Sequence, residues 1–182
     1  IAPVQVVIIP IAQKKEGVLE KANELYQQLK AAGIRVELDD STDNSPGWKF
    51  NQYEMKGYPI RIEIGPRDIE NNQAIAVRRD KLEKESISLD NFAETIATIL
   101  ETMQSDLFEK AKAHREAHTY VVTDYEQYKK EIHEKPGFAK MMWCGEDECE
   151  VKLKEETGAT IRCIPFEQEK IGDVCPICGK EA

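Results

Sequence analysis

The sequence predicts an α/β fold in two parts: a mixed β-sheet flanked by helices, then a smaller α/β module. Three observations lead there. The chain opens strand, helix, strand. Farther on, the alternating segment Ile60–Ile64 is followed by a second strand-like run at 73–77. All five cysteines lie after residue 143. At 182 residues the chain suits one large or two small domains, given ~100–200 residues per domain. The expected division is 1–105 and 106–182.

Residues 4–9 are a continuous apolar run between Pro3 and Pro10, as in a buried strand. Segment 16–32 places Val18, Leu19, Ala22, Leu25, Tyr26 and Leu29 at helical spacing, and Gly33 stops it. Segment 34–38 is a second strand. This βαβ unit implies parallel strands and a right-handed crossover. Ser45, Pro46 and Gly47 open a helix, with Ser45 as N-cap and Pro46 in the first turn. That helix carries Trp48, Phe50, Tyr53 and Met55 and ends at Gly57. Ile60–Ile64 alternates like a half-buried strand, with 73–77 as its partner. Residues 65–68 and Asn71-Asn72 are expected as loop between them. Ser88 is expected to cap a long helix to about His114, with Leu89, Phe92, Ile96, Ile99, Leu100, Met103, Leu107 and Phe108 on one face.

The second part is expected to hold a strand at 120–122 and a helix from the Asp124 cap to Glu134, broken by Pro136-Gly137. A strand at 138–143, a helix at 146–156 stopped by Gly158, and a strand at 160–165 follow.

Composition limits the function. Net charge is −9, which argues against indiscriminate phosphate binding. Residues 49–84 are the exception, with eight Lys/Arg against six Asp/Glu. Any polyanion is expected to dock there; a mixed solvated surface is the alternative. No apolar run approaches the ~20 residues of a membrane helix, and the start Ile1-Ala2-Pro3 lacks the pattern of a signal peptide. Without an initiator Met, the chain is expected to be a fragment.

An odd number of cysteines confined to one end does not form a secreted disulfide framework. Cys144 and Cys149 form one pair, and Cys175 and Cys178 a second. Two such pairs predict a zinc ion held by four thiolates. The Cys175–Cys178 spacing is that of a knuckle, with Gly179 letting the backbone turn near sulfur. Four thiolates close the coordination shell, so the role is structural. Cys163, in an alternating stretch, is expected to be a small buried apolar residue. His114 and His118 lack the His-Glu-x-x-His pattern and are expected as surface histidines. No phosphate-binding glycine loop and no nucleophile elbow occurs, so no catalytic centre is expected.

Residues 45–68, SPGWKFNQYEMKGYPIRIEIGPRD, closely resemble the anticodon-binding domain of prolyl-tRNA synthetases. The run 73–80, QAIAVRRD, continues the match, and the four-cysteine tail resembles the zinc domain of the archaeal and eukaryote-like branch. The resemblance covers the whole chain. It implies a parent enzyme, a proline-tRNA ligase of class II, that uses ATP in a catalytic domain ending near Ile1. It also implies a continuation beyond Ala182 to a C-terminal tyrosine. The partners implied are proline tRNA and the catalytic domain of the parent chain. The parent is expected to be a cytoplasmic homodimer, mainly through the missing domain, which leaves this chain free to be monomeric.

The chemistry of the motif fits that role. Proline codons begin CC, so anticodon bases 35 and 36 are guanines. A guanine edge offers N1–H and N2–H donors and an O6 acceptor, and unstacked bases favour an aromatic or guanidinium platform. The resemblance therefore implies Glu54 and Asp68 on the donors, Arg61 and Arg67 on O6 or phosphate, and Phe50 as the stacking surface. Arg78, Arg79 and Lys81 are expected on the stem backbone, where contacts position without reading sequence. Each has an ordinary alternative: Phe50 in the core, Arg61 covering a strand, Glu54 paired on its helix, Asp68 closing a turn. Two further readings remain: a zinc-stabilised protein-interaction module, and the equivalent domain of a threonine, histidine or glycine enzyme. The Pro-Gly-Trp-Lys-Phe motif and the zinc tail count against the second.

Overall fold

The computed structural model describes residues 2–182. The chain divides into one compact unit ending at Leu107 and a second, Phe108–Ala182.

In the first unit, β1 (Val6–Pro10) is buried along its whole length. Helix α1 (Val18–Ala31) turns Val18, Ala22, Leu25 and Leu29 inward, the stripe its spacing predicts. Strand β2 (Val36–Leu38) pairs parallel with one edge of β1. Helix α2 (Pro46–Met55) starts at the Ser45 cap, whose Oγ accepts the Trp48 N–H at 3.3 Å. Strand β3 (Ile60–Ile64) pairs parallel with the other edge of β1. A short helix α3 (Pro66–Glu70) and strand β4 (Gln73–Arg78) follow, with β4 antiparallel to β3.

Strand β5 (Lys84–Ser88), absent from the expectation, pairs antiparallel with β4 and completes the sheet order β2-β1-β3-β4-β5. Ser88 is therefore no helix cap. It ends β5 and its Oγ accepts the Asp90 N–H at 3.1 Å, while α4 (Phe92–Ala117) begins later. Residues 66–68 are likewise not loop: with Gly65 as N-cap, they open α3.

The sheet has two unlike faces. Val6, Ile8, Ile60, Ile62, Ile64, Ala74, Ala76 and Ile87 join Leu25 and Leu29 of α1 and Phe92, Ile96 and Met103 of α4 in one core. The odd-numbered β3 residues Arg61 and Glu63 look the other way, in register with Val77 and Ile75. Alternation predicts a half-buried β3, yet Glu63 is also buried. Leu107 and Phe108, expected on the core face of α4, are exposed.

The second unit has its own small core. Strands β6 (Thr119–Val121) and β7 (Phe138–Lys140) pair in parallel, joined through α5 (Tyr125–Glu131). Asp124 caps α5 as expected, its Oδ1 accepting the Gln127 N–H at 3.0 Å. Helix α6 (Asp147–Thr157) ends at Gly158 with φ 72°. Val122, Tyr125, Tyr128, Cys149, Leu153, Cys175 and Ile177 pack together. Segment 160–165 is not a strand, and Cys163 is exposed rather than buried. Its alternating pattern has no neighbouring strand to supply a ladder, and an unpaired strand leaves its backbone groups to water.

Gly137 marks a tight approach in this unit. A Cβ there would overlap the carbonyl oxygen of His118, which accepts the Phe138 N–H at 2.8 Å. Gly137→Ala should destabilise the second unit by about 1–3 kcal/mol, the range of overpacking. Thermal unfolding should show it; an unchanged transition would mean the backbone moves aside freely.

Candidate nucleic-acid interface and metal centre

On the sheet face opposite the main core, a shallow groove gathers side chains from four segments. Tyr53 and Glu54 come from α2, Arg61 from β3, Val77 from β4, and Arg79 and Leu82 from the turn before β5; Tyr58 completes it. Phe50 lies one helical turn before Glu54 on α2, half-buried. The Arg61 guanidinium stands 4.3 Å from the centre of the Phe50 ring, and Lys84 Nζ 5.6 Å from it. Glu63, only 6% exposed, ties the two cations together. Its Oε1 accepts from Arg61 Nε at 3.1 Å and its Oε2 from Lys84 Nζ at 2.8 Å. Sequence reasoning missed both Glu63 and Lys84. Arg61 and Glu63 share a face by strand alternation, but Lys84 joins them only because β5 pairs next to β4.

The helix that presents Phe50 and Glu54 is anchored from beneath. Lys49 is 3% exposed, and its Nζ donates to Asp39 Oδ1 at 2.9 Å, Asp39 O at 3.0 Å and Ser41 O at 2.7 Å. Tyr53 OH donates to Asp39 Oδ2 at 3.0 Å, and Tyr58 OH to Glu37 Oε2 at 2.6 Å. Burial and the bond to Glu37 push the Tyr58 phenol up to about 12. Burial, and then the bond to Asp39, also raise Tyr53. Both phenols therefore remain neutral donors near neutral pH. Lys49, counted in the basic stretch expected to meet a polyanion, is instead an internal strut.

The other predicted residues are distributed. Asp68 Oδ2 accepts the Gly65 N–H at 2.8 Å, closing the first turn of α3. A carboxylate can accept further bonds, so this cap leaves it acceptor capacity. Arg67 is exposed on α3. Both stand past the C-terminal end of β3. Arg61 lies near the opposite end, so four residues of strand, about 13 Å, separate it from Gly65. Arg78 is held by Asp80 through bonds of 3.1 and 2.7 Å and by Asp106 Oδ2 at 2.7 Å. Lys81 approaches the same Asp106 oxygen at 3.3 Å. The bonds from Arg78 hold both carboxyls below the usual range. Of the three cations expected on a nucleic-acid backbone, Arg79 is the one that lines the groove.

In the second unit, Cys144, Cys149, Cys175 and Cys178 come together, their sulfurs all within 4.8 Å of one another. Cys144 Sγ lies 3.6 Å from both Cys149 Sγ and Cys178 Sγ. A tetrahedral ion with sulfurs at about 2.3 Å sets them about 3.8 Å apart, so the four side chains fit such an ion. The Cys175–Lys180 turn is closed by Cys175 N–H to Lys180 O and Gly179 N–H to Cys175 O, both 2.8 Å. Gly179 takes φ 75°, the left-handed conformation a side chain would resist. Burial alone would raise the Cys175 thiol. Backbone N–H groups at Ile177, Cys178 and Cys144 outweigh it and lower this thiol. Burial raises Cys149, and Cys144 is raised as well, so without an ion these thiols do not ionise together.

No helix among the described residues is long and apolar enough to cross a membrane. Two family models match the chain: "Anticodon binding domain" over residues 5–99, and "Prolyl-tRNA synthetase, C-terminal" over residues 125–182. Similar proteins include a proline--tRNA ligase of Acetoanaerobium sticklandii, 62% identical over 182 residues. Proline--tRNA ligase 2 of Clostridioides difficile is 56% identical, and the enzyme of Alkaliphilus oremlandii 59%. Each match takes in 100% of this chain and 38% of the relative, so the chain spans well under half the length of these proteins. A sheet with a carboxylate-and-guanidinium groove, joined to a four-cysteine module, thus coincides with both matched regions: the chain belongs to the anticodon-binding domain family, in the form that precedes a prolyl-tRNA synthetase C-terminal domain.

Proposed function

We propose that this chain reads guanines 35 and 36 of the proline tRNA anticodon for a parent proline–tRNA ligase. A catalytic domain of the same parent chain would attach proline using ATP. Residues 1–105 form the anticodon-binding domain and 106–182 the zinc-binding domain. The observation that carries this reading is the convergence of Glu54, Arg61 and Arg79 in one groove. Glu54 accepts from N1–H and N2–H of one guanine, and a guanidinium donates to O6. Phe50 with Arg61 over its ring provides the stacking platform. Asp68 and Arg67, a strand length away, serve the neighbouring guanine. Arg78 and Lys81, engaged with Asp80 and Asp106, brace the turn and add positive potential for the stem phosphates.

The cysteine cluster holds a structural zinc ion, supported by the sulfur spacing and the all-thiolate donor set. Unpaired thiols bound to zinc suit the reducing cytoplasm. The parent works as a homodimer mainly through its catalytic domain, which leaves this chain free to be monomeric.

The test is titration of the chain with a proline tRNA transcript and with the same transcript carrying cytosine at 35 and 36. Losing base-edge contacts of ~1–3 kcal/mol each should weaken binding about ten-fold or more. Equal binding of both transcripts, or none at low salt, would reject anticodon reading and favour the zinc-stabilised protein-interaction module.

A further inference from the structure

Leu82 combines an unusual backbone conformation with an exposed apolar side chain. It is a branched-chain residue in the left-handed region, with φ 59°, and it is 58% exposed. Side chains adopt that conformation at an energetic cost, and such strain persists where the surroundings impose it. Here the turn between β4 and β5 imposes it. Leu82 N–H donates to Arg78 O at 2.8 Å, and Arg79 N–H to Pro59 O at 2.9 Å. The Arg78 side chain is itself fixed between Asp80 and Asp106. The result is an apolar side chain held at the wall of the groove that also contains Glu54, Arg61 and Arg79. Val77, 3% exposed, adds an apolar surface to the same groove.

We propose that Leu82 is a nucleobase-contacting residue: its side chain packs against the face of the base whose edge meets Glu54. Of the other side chains lining the groove, Glu54, Arg61 and Arg79 suit a base edge. The Tyr53 and Tyr58 hydroxyls are committed to Asp39 and Glu37, and Val77 is almost wholly buried, which leaves Leu82 as the exposed apolar wall for a base face. A leucine wall excludes water from that face and is indifferent to which base occupies the groove. It therefore adds affinity without adding discrimination, unlike Glu54. This inference rests on the anticodon reading proposed above.

The experiment compares the wild-type chain with Leu82→Gly, Leu82→Met and Glu54→Ala, each titrated with the proline transcript and with its cytosine-substituted form. Glycine accepts the left-handed conformation, so Leu82→Gly should fold and show no loss of thermal stability. It should bind both transcripts about five-fold more weakly, with their ratio unchanged, since face contacts are sequence-tolerant. Leu82→Met, which keeps an apolar side chain, should bind as wild type does. Glu54→Ala should instead reduce the ratio. If Leu82→Gly binds like wild type while Glu54→Ala loses discrimination, the role of Leu82 is wrong and anticodon reading stands. If the wild-type chain does not discriminate between the transcripts, both fall together.

Discussion

Removing the metal with a strong chelator should unfold the second unit and leave the first folded. The small core around Val122, Tyr125, Tyr128, Leu153 and Ile177 includes Cys149 and Cys175 themselves. It is therefore organised around the four-cysteine cluster. The two cysteine pairs come from separate stretches of chain, the first at the start of α6 and the second in the terminal turn. Zinc binding to such a site supplies about 10–16 kcal/mol of folding free energy, more than the net stability of a whole domain. Metal analysis should give about one zinc ion per chain, the number a four-thiolate shell holds. Hydrogen exchange resolved along the chain should then show protection lost across α5 and α6 on chelation. Protection in β1, β3 and β4 should survive. Cys175→Ser should reproduce the chelated state. Retained protection around α6 after complete metal removal would show that the thiolate cluster is not what holds this unit.

The second large effect is expected at Lys49. Lys49→Ala would leave the Asp39 carboxylate and the carbonyls of Asp39 and Ser41 without their shared donor, in a site where the lysine side chain is 4% and Asp39 13% exposed. Breaking a buried pair from one side costs about 3–5 kcal/mol, because the remaining charge keeps its desolvation penalty without its partner. Tyr53 would still donate to Asp39 Oδ2, which places the loss at the lower end of that range. The damage should centre on α2 and the end of β2. Faster exchange there, with a lower urea midpoint, is the expected result; unaltered exchange would reject Lys49 as the strut of α2. Because Phe50 and Glu54 ride on α2, the proposed RNA binding should weaken as well. Raising salt should not mimic this loss, as it would for a phosphate contact.

Local order explains what could be read without coordinates. The β1 run, the α1 stripe and the caps at Ser45 and Asp124 each depend on residues within a turn or two of one another. The four-cysteine cluster is legible because spacing and donor type are written directly in the chain. The motif and its chemistry single out Glu54 and Arg61 as candidates; that both line one groove is visible only in the fold.

Other features depend on partners far away in sequence. Lys84–Ser88 has too much charge to resemble a strand, yet β4 supplies its ladder, and a lysine suits a sheet edge that must not recruit another chain. Segment 160–165 has the pattern but no ladder, so it stays irregular. Arg78 gains Asp106 from α4, and Glu63 gains Lys84 from β5, across separations of 28 and 21 residues. The sequence by itself determined the elements with their own internal signals, the four-cysteine cluster and the family. Tertiary structure alone decided which charges face the groove and which are consumed as struts, because a buried or paired charge is defined by its neighbours in space.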